Sequence, residues 1–503
     1  MKFPRRSGVL LHPTSLPGPF GIGDLGVQAN QFIDFLLSAG QSYWQVLPLN
    51  PTGYGDSPYQ GLSAFAGNPM LIDLTQLVTM EHLAADDLKD TPNFPHDRVD
   101  FGPAIAFKMA LLEKSFEAFD QSSNSTHKEE FDLFCREQAS WLDDFALFMA
   151  LKESYKLRPW NEWKEEHKTR QPAALETARE TMAGDIKRHK YWQWIFLKQW
   201  LAVKQYANDK GIRIIGDIPI FVALDSADVW ANTGLFYFDE ALNPTVVSGV
   251  PPDYFSKTGQ LWGHPLYRWD VMKENGYRWW INRFNTLFLQ ADVLRIDHFR
   301  GFHNYWEVPS TEATAIKGQW MKGPGADIFR TVTEAIGDVA IIAEDLGDFD
   351  DESRAGVDAL QNEFNFPGMK ILQFAFSNGP KDPFLPHNFT ADWVVYTGTH
   401  DNDTSHGWYR VSSEQHEQDY ARKYMGVDGS DIAWDLIRLG WASVANTSVT
   451  TVHDLLSLGT DARMNTPGTV GQPNWCWRLQ PDQLHDGISQ RLLEMTGVYG
   501  RLP

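Results

Sequence analysis

IRIIGDIPIFV (212–222), DVLRIDHF (292–299) and VAIIAEDL (339–346) decide the fold of this chain. Each is a short apolar run rich in β-branched residues, and each carries an acidic residue. Runs without polar alternation belong to strands buried on both faces, the signature of a parallel sheet covered by helices. Working outward, the same pattern recurs in GVLLH (8–12), YWQVLPL (43–49), MKILQFAF (369–376), WVVYTGT (393–399) and TTVHDLLSL (450–458). Helical periodicity lies between several of them, as in VQANQFIDFLLSAG (27–40), with Gly40 as its C-cap, and in 326–336. Eight such strands alternating with helices predict an α/β fold, a (β/α)8 TIM barrel.

The connections are uneven. Residues 75–210 form a long, Glu/Lys/Trp-rich segment expected to be a mainly helical insertion at the C-terminal rim of the barrel, broken by a polar loop at QSSNSTHKEE (121–130). Residues 223–290, rich in Gly, Pro and aromatics, are a second insertion, with 249–265 as an expected lid over the active site. The whole chain, 1–503, is then one catalytic barrel with insertions.

Composition removes several function classes. Asp and Glu outnumber Lys and Arg by 65 to 44, a net charge of −21, with no basic stripe. Duplex nucleic acid and anionic membrane both require clustered positive charge, so neither is an expected partner. No apolar run approaches the roughly 20 residues of a membrane span. The opening MKFPRRSGVLLHPTSLPGPF lacks a signal-peptide core, and a cytoplasmic location is expected. Cys135 and Cys476 are too few for a metal cluster or a disulfide framework. The 20 Trp, 16 Tyr and 31 Phe are mostly core material, but flat rings also serve as platforms for sugars.

Active sites of such barrels collect at the C-terminal ends of the strands. Asp217, Asp297, Glu344 and Asp345 stand there, with Asp401 and Asp403 just past the seventh strand. A single acid at a strand end is as easily a cap or half of an ion pair. Acids on four strands repel one another, and a fold tolerates that mainly where function requires it. Arg295 and Asp297, two apart on one strand, share a face, so the guanidinium is expected to hold the carboxylate ionised. Glu344 ends a buried run beside another anion, which raises its pKa toward that of a proton donor near neutrality. The bland alternative, an acid that starts the next helix, suits Asp345 better. His400 and Asp401 in THDNDT (399–404) invite a metal or turn reading, but no specific ligand spacing accompanies them. No metal and no cofactor is expected. Two carboxylates flanking a sugar C1, one a nucleophile and one an acid/base, make a retaining glycosidase mechanism.

RIDHFRG (295–301), AEDLG (343–347) and GTHDNDT (398–404) closely resemble the signature regions of the 4-α-glucanotransferase family, the amylomaltases or disproportionating enzymes. GDIPIFVALDSADVW (216–230), GVPPDYFSKTGQLWGHPLYRW (249–269), SGVLLHPTSLPGPFGIGDLG (7–26) and LPLNPTGYGDSPYQGLSAFAGNP (47–69) resemble further blocks of it, in order along nearly the whole chain. The resemblance implies Asp297 as nucleophile, Glu344 as acid/base and Asp401 as transition-state stabiliser. It implies substrate contacts from Arg295, His400, Asp217, His298, Tyr59, Trp262 (in GQLWGHP) and Asn465 (in RMNTPG). For Tyr59, Trp262 and Asn465 a core or turn role is an equal alternative. The implied reaction moves an α-1,4-glucan segment from maltooligosaccharides, starch or glycogen-derived glucans to the 4-hydroxyl of another glucan or of glucose. The acids alone equally suit an α-glucan hydrolase of the amylase type, while a non-catalytic glucan-binding protein would need no nucleophile.

Overall fold

A computed structural model describes residues 3–252 and 256–503. Twelve strands occur among them: β1 (Arg6–Leu10), β2 (Tyr43–Gln45), β3 (Arg213–Pro219), β4 (Val246–Val250), β5 (Gln260–Pro265), β6 (Val293–Asp297), β7 (Asn304–Pro309), β8 (Gln319–Lys322), β9 (Ile341–Ala343), β10 (Gly368–Ile371), β11 (Trp393–Tyr396) and β12 (Thr447–Thr451). Eight form one parallel sheet in the order β10-β11-β12-β1-β2-β3-β6-β9, which is the chain order run in a circle. The seam between β9 and β10 is bridged where the Ala343 N–H donates to the Pro367 carbonyl at 2.9 Å. The sheet is the (β/α)8 barrel that the apolar runs predict. Its strands are buried on both faces because helices cover the outside and side chains fill the inside. At Gly8 a β-carbon would lie 2.5 Å from that of Tyr43, so β1 and β2 approach as they do only because that residue has no side chain.

Strand boundaries differ from the sequence reading at the eighth position. The expected strand at 450–458 is Thr447–Thr451, and Val452–Leu455 is a helical turn. The reason is local: the Thr451 hydroxyl accepts the Asp454 N–H at 3.2 Å, an N-cap that starts a helix where the apolar run suggested extended chain. In the same way MKILQFAF yields a strand only over Gly368–Ile371 before a 3-10 turn at Leu372–Phe374.

Between β2 and β3 the chain is mainly helical, the longest helices being Phe101–Gln121, Ala139–Ser154 and Ala183–Asp209. The polar patch 121–130, expected as a loop, is mostly helix: Ser125–Glu137 starts directly after Asn124, whose side chain accepts the His127 N–H at 3.2 Å. Polarity marked an exposed helix face there. The helix Ala183–Asp209 is fastened to segment 67–73 by amide side chains. Gln193 exchanges hydrogen bonds with both backbone groups of Gly67 (2.7 and 2.8 Å), and Gln199 does so with Asp73 (2.8 and 3.1 Å). Each satisfies buried backbone that would otherwise be destabilising by about 1–3 kcal/mol.

A second sheet, antiparallel and ordered β5-β4-β7-β8, stands beside the barrel. The sequence reading did not anticipate it. Its central pair joins Val246 to Pro309 across the intervening barrel strand β6, so no hairpin signal marks it. Residues 253–255, within the expected lid 249–265, lie outside the described residues. The described part of that segment carries the end of β4 and β5 with Trp262.

Candidate active site

Register brings the charged groups together. Asp217 on β3 is paired with Arg295 on β6, and Ile296 on β6 is paired with Ala343 on β9. Asp297 and Glu344, the next residues along, therefore stand at matched ends of neighbouring strands. The Arg295 guanidinium is buried. Its Nη1 lies 2.8 Å from each Asp217 oxygen, and its Nη2 donates to Asp297 Oδ1 at 3.1 Å. Burial works against that charge, but Asp217 and Asp297 outweigh it and keep Arg295 protonated.

As expected, Arg295 pulls the Asp297 pKa down, but the net shift runs the other way. Burial dominates and pushes Asp297 up to about 6; Arg295 opposes this, while Asp217 and Asp401 add to it. Arg295 is shared with Asp217, so only part of its charge serves Asp297. The carboxylate is still ionised at neutral pH.

Glu344 follows directly on β9. Its Oε2 accepts the backbone N–H of His298 at 2.7 Å and its Oε1 that of Leu346 at 2.8 Å. Burial and then the Asp297 charge raise it to about 7, against the pull of Arg295 and the two N–H groups. Of the two carboxyls, Glu344 is the one that keeps a proton near neutrality. His298, which supplies one of those N–H groups, sits in the left-handed region at φ 55°. A non-glycine residue there is held by its surroundings. Its ring is perpendicular to Trp262 at 4.8 Å. Burial, with Arg300 nearby, keeps it neutral, its pKa near 3.

On the other side, the Tyr59 hydroxyl donates to Asp217 Oδ2 at 2.8 Å, and the Tyr59 ring stacks on His400 at 5.0 Å. His400 Nε2 lies 3.3 Å from Asp401 Oδ2, and Asn465 Nδ2 donates to Asp401 Oδ1 at 2.6 Å. Burial disfavours the Asp401 charge, but His400 and Asn465 overcome it and hold this carboxyl well below the usual range. Two neighbouring acids are thus tuned apart, one toward a proton and one away from it.

All ten residues singled out in the sequence, Tyr59, Asp217, Trp262, Arg295, Asp297, His298, Glu344, His400, Asp401 and Asn465, form one connected cluster. Two other acids at the strand ends do not join it. Asp345 is buried, accepts the Met369 N–H at 2.8 Å and pairs with Arg354 at 2.7 Å. It braces the β9–β10 seam; the helix start suggested for it is capped instead by Asp350. Asp403 accepts from Ser412 and the Thr404 N–H, which follow β11, and from Thr460 beyond β12.

Sequence reasoning missed several groups here. Trp475, at φ 64°, lies 6.0 Å from Tyr59 and 5.9 Å from His400. Gln60 Nε2 is 2.8 Å from His264 Nε2, joining the loop that carries Tyr59 to the strand that carries Trp262. Arg463 donates to the main chain of both Asp401 and Asn465. Arg463 lies in the quoted RMNTPG block and Gln60 beside Tyr59, so adjacency to a named residue was the available signal. Among the described residues no cluster of three or more His, Cys, Asp or Glu could hold a metal ion.

The comparisons agree in one direction. A family model described as 4-alpha-glucanotransferase matches residues 11–484. The 4-alpha-glucanotransferase of Thermus thermophilus is 48% identical over 510 residues, covering 100% of both chains. That of Synechocystis sp. is 48% identical over 501 residues, covering 99% of this chain and 98% of its own. The amylomaltase of Streptococcus agalactiae, solved in complex with acarbose, superposes with a TM-score of 0.94 at 40% identity, over 99% of this chain and 100% of its own. The amylomaltase of Corynebacterium glutamicum, at 19% identity and a TM-score of 0.79 over 99% of this chain and 75% of its own, shares the fold.

Proposed function

This chain belongs to the 4-alpha-glucanotransferase family, a glucan-transferring enzyme on a (β/α)8 barrel, and from that premise we propose that Asp297 is its nucleophile, Glu344 its acid/base and Asp401 its transition-state stabiliser. Asp297 attacks C1 of the donor glucan. The bond from C1 to the leaving oxygen breaks as Glu344 gives that oxygen its proton, leaving a covalent glucosyl-Asp297 and an anionic Glu344. In the second step Glu344 takes the proton of an acceptor 4-hydroxyl, whose oxygen attacks C1 and releases Asp297. The configuration at C1 is retained.

The observation that carries this reading is that Asp297 and Glu344 directly follow the register pair Ile296–Ala343 at matched ends of adjacent strands, with the proton on Glu344. Strands about 4.8 Å apart suit the roughly 5–5.5 Å carboxyl separation of retaining enzymes. Asp401, held anionic, faces the positive charge that develops on the sugar ring. Arg295 and Asp217 fix the nucleophile, and Tyr59, His298, His400 and Asn465 contact the donor sugar. Trp262 covers the acceptor side, favouring a sugar hydroxyl over water. The substrates are α-1,4-glucans, with glucose as one acceptor; acarbose, present in the Streptococcus structure, is expected to occupy the same cleft. We take the chain as one catalytic barrel interrupted at 75–210 and 223–290, acting in the cytoplasm; no described helix is long and apolar enough to cross a membrane.

The test uses Glu344→Gln and α-glucosyl fluoride, whose fluoride leaves with little protonation. The first step should proceed and the second should stall. Mass spectrometry should find one glucosyl unit on the peptide containing Asp297. Label on Asp401, or no label with wild-type binding intact, would overturn the division of roles.

A further inference from the structure

Asp401 is not on a strand. It lies in the loop after β11, and its own loop anchors it through two long contacts, a 3.3 Å hydrogen bond from its N–H to Thr399 Oγ1 and 3.3 Å from His400 Nε2 to its Oδ2. A carboxylate that must meet a transition state within a fraction of an ångström needs firmer support than that. The support comes from the segment after Ala462. Arg463 Nη2 donates to the Asp401 carbonyl at 2.7 Å and Nε to the Asn465 carbonyl at 2.7 Å. The Asn465 N–H donates to the His400 carbonyl at 3.1 Å, and its side chain holds Asp401 Oδ1 at 2.6 Å. The guanidinium thus ties the main chains of two residues whose side chains are bonded to each other.

Arg463 is half-buried, and among the described residues no carboxylate is paired with it. A surface arginine usually finds an acid; this one spends its Nε/Nη2 edge on two neutral carbonyls. That edge presents two parallel donors in a fixed plane, a geometry a lysine ammonium cannot reproduce. Asp401 and Asn465 are only partly buried, so losing Arg463 should leave their carbonyls open to water rather than stranded.

We propose that Arg463 is the positioning residue for Asp401: it fixes the backbone on either side of the Asn465–Asp401 hydrogen bond and thereby the plane of the stabilising carboxylate. This rests on the reading of Asp401 given above. The hydrogen bonds of Arg463 go to main-chain carbonyls, so its loss should leave ground-state binding nearly unchanged and act on the transition state.

The test compares Arg463→Ala, Arg463→Lys and Asp401→Asn in disproportionation of maltotriose. Arg463→Ala should lower kcat by about ten- to a hundredfold, the scale of a misplacement of about an ångström, with KM changed less than about twofold and Tm nearly unchanged. Arg463→Lys should not restore kcat. Guanidinium chloride at tens of millimolar should raise kcat of Arg463→Ala, relative to equal sodium chloride, and leave wild type unchanged. Arg463→Ala with near-normal kcat beside a crippled Asp401→Asn would overturn the positioning role alone. A kcat loss without guanidinium rescue and with a large fall in Tm would reduce Arg463 to a structural residue. Near-normal kcat in Asp401→Asn would overturn the underlying reading, and this proposal with it.

Discussion

Arg295 Nη1 lies 2.8 Å from both carboxylate oxygens of Asp217, a closer hold than the 3.1 Å contact that Nη2 makes with Asp297. Asp217 therefore competes with Asp297 for the one guanidinium that stabilises its charge, and it also repels that charge directly.

Asp217→Asn should accordingly make Asp297 more acidic. The amide still accepts from Tyr59 and Arg295, so packing survives. The acidic limb of the kcat/KM profile should move to lower pH, and kcat at neutrality should fall, because a better-stabilised carboxylate is a weaker nucleophile. An acidic limb that stays in place would mean that Asp217 does not tune Asp297.

The wild-type profile should be a narrow bell. Activity should fall as pH drops below about 6, where Asp297 takes up a proton, and again as it rises past about 7, where Glu344 loses the one it must donate. Initial rates on maltotriose between pH 4 and 9 measure both limbs. In Glu344→Gln with α-glucosyl fluoride as donor, the alkaline limb of glucosylation should vanish and the acidic limb remain.

The barrel was legible in the sequence because its strands are buried on both faces and so read as unbroken apolar runs. The site was legible because its acids sit at the ends of those runs. What the sequence hid depends on pairing between distant segments. Val246 meets Pro309 across β5 and β6, which lie between them in sequence, so the pairing that joins the two halves of the small sheet left no local trace. Thr451 ends a strand by capping a helix, a side-chain hydrogen bond that hydrophobicity does not report. Burial, with the charges of Asp217 and Asp401 added, outweighed Arg295 and turned the net shift of Asp297 upward, since i and i+2 spacing says which residues share a face but neither how deeply they are buried nor which other strand supplies a competitor.

Adjacent acids should separate cleanly by experiment. Asp345→Asn should lower stability by about 1–3 kcal/mol, the scale of disturbing a buried hydrogen-bonded group, because Asp345 accepts the Met369 N–H at the barrel seam and pairs with Arg354. Its kcat below the melting range should stay within about twofold of wild type, whereas Glu344→Gln should all but abolish transfer. Thermal unfolding and rates measured on the same samples decide it. A crippled but stable Asp345→Asn would bring Asp345 into the chemistry.

The Gln60–His264 contact of 2.8 Å ties the Tyr59 loop to the Trp262 strand, and burial keeps His264 neutral, near 4. Gln60→Leu should release the Trp262 side of the cleft and admit water as an acceptor. The fraction of turnovers ending in hydrolysis, read as reducing-end gain per glucose released from maltotriose, should rise several-fold, with donor cleavage little changed. An unchanged ratio would show that the contact does not govern acceptor choice.

Glu344→Gln should change the pH dependence of stability as well as stop turnover. In the fold this carboxyl titrates near 7, against 4.5 for an ordinary glutamate, because burial and the Asp297 charge disfavour its anion. The folded protein therefore holds the proton more tightly than the unfolded chain. Below about 4.5 both states are protonated and there is no penalty. Between 4.5 and 7 the unfolded chain has released the proton and the fold has not, so rising pH progressively favours unfolding; above about 7 the penalty is fully present. Glutamine has no proton to lose. It gives up one acceptor for the His298 or Leu346 N–H, a loss that is the same at every pH. The Tm of Glu344→Gln minus that of wild type should thus shift in favour of the variant between pH 5 and pH 7.5 and level off above it, whatever its starting sign. Calorimetry at four or five pH values measures this. A difference that stays flat across the range would mean Glu344 carries no extra proton in the fold, and a residue without that proton cannot be the acid that starts the reaction near neutrality.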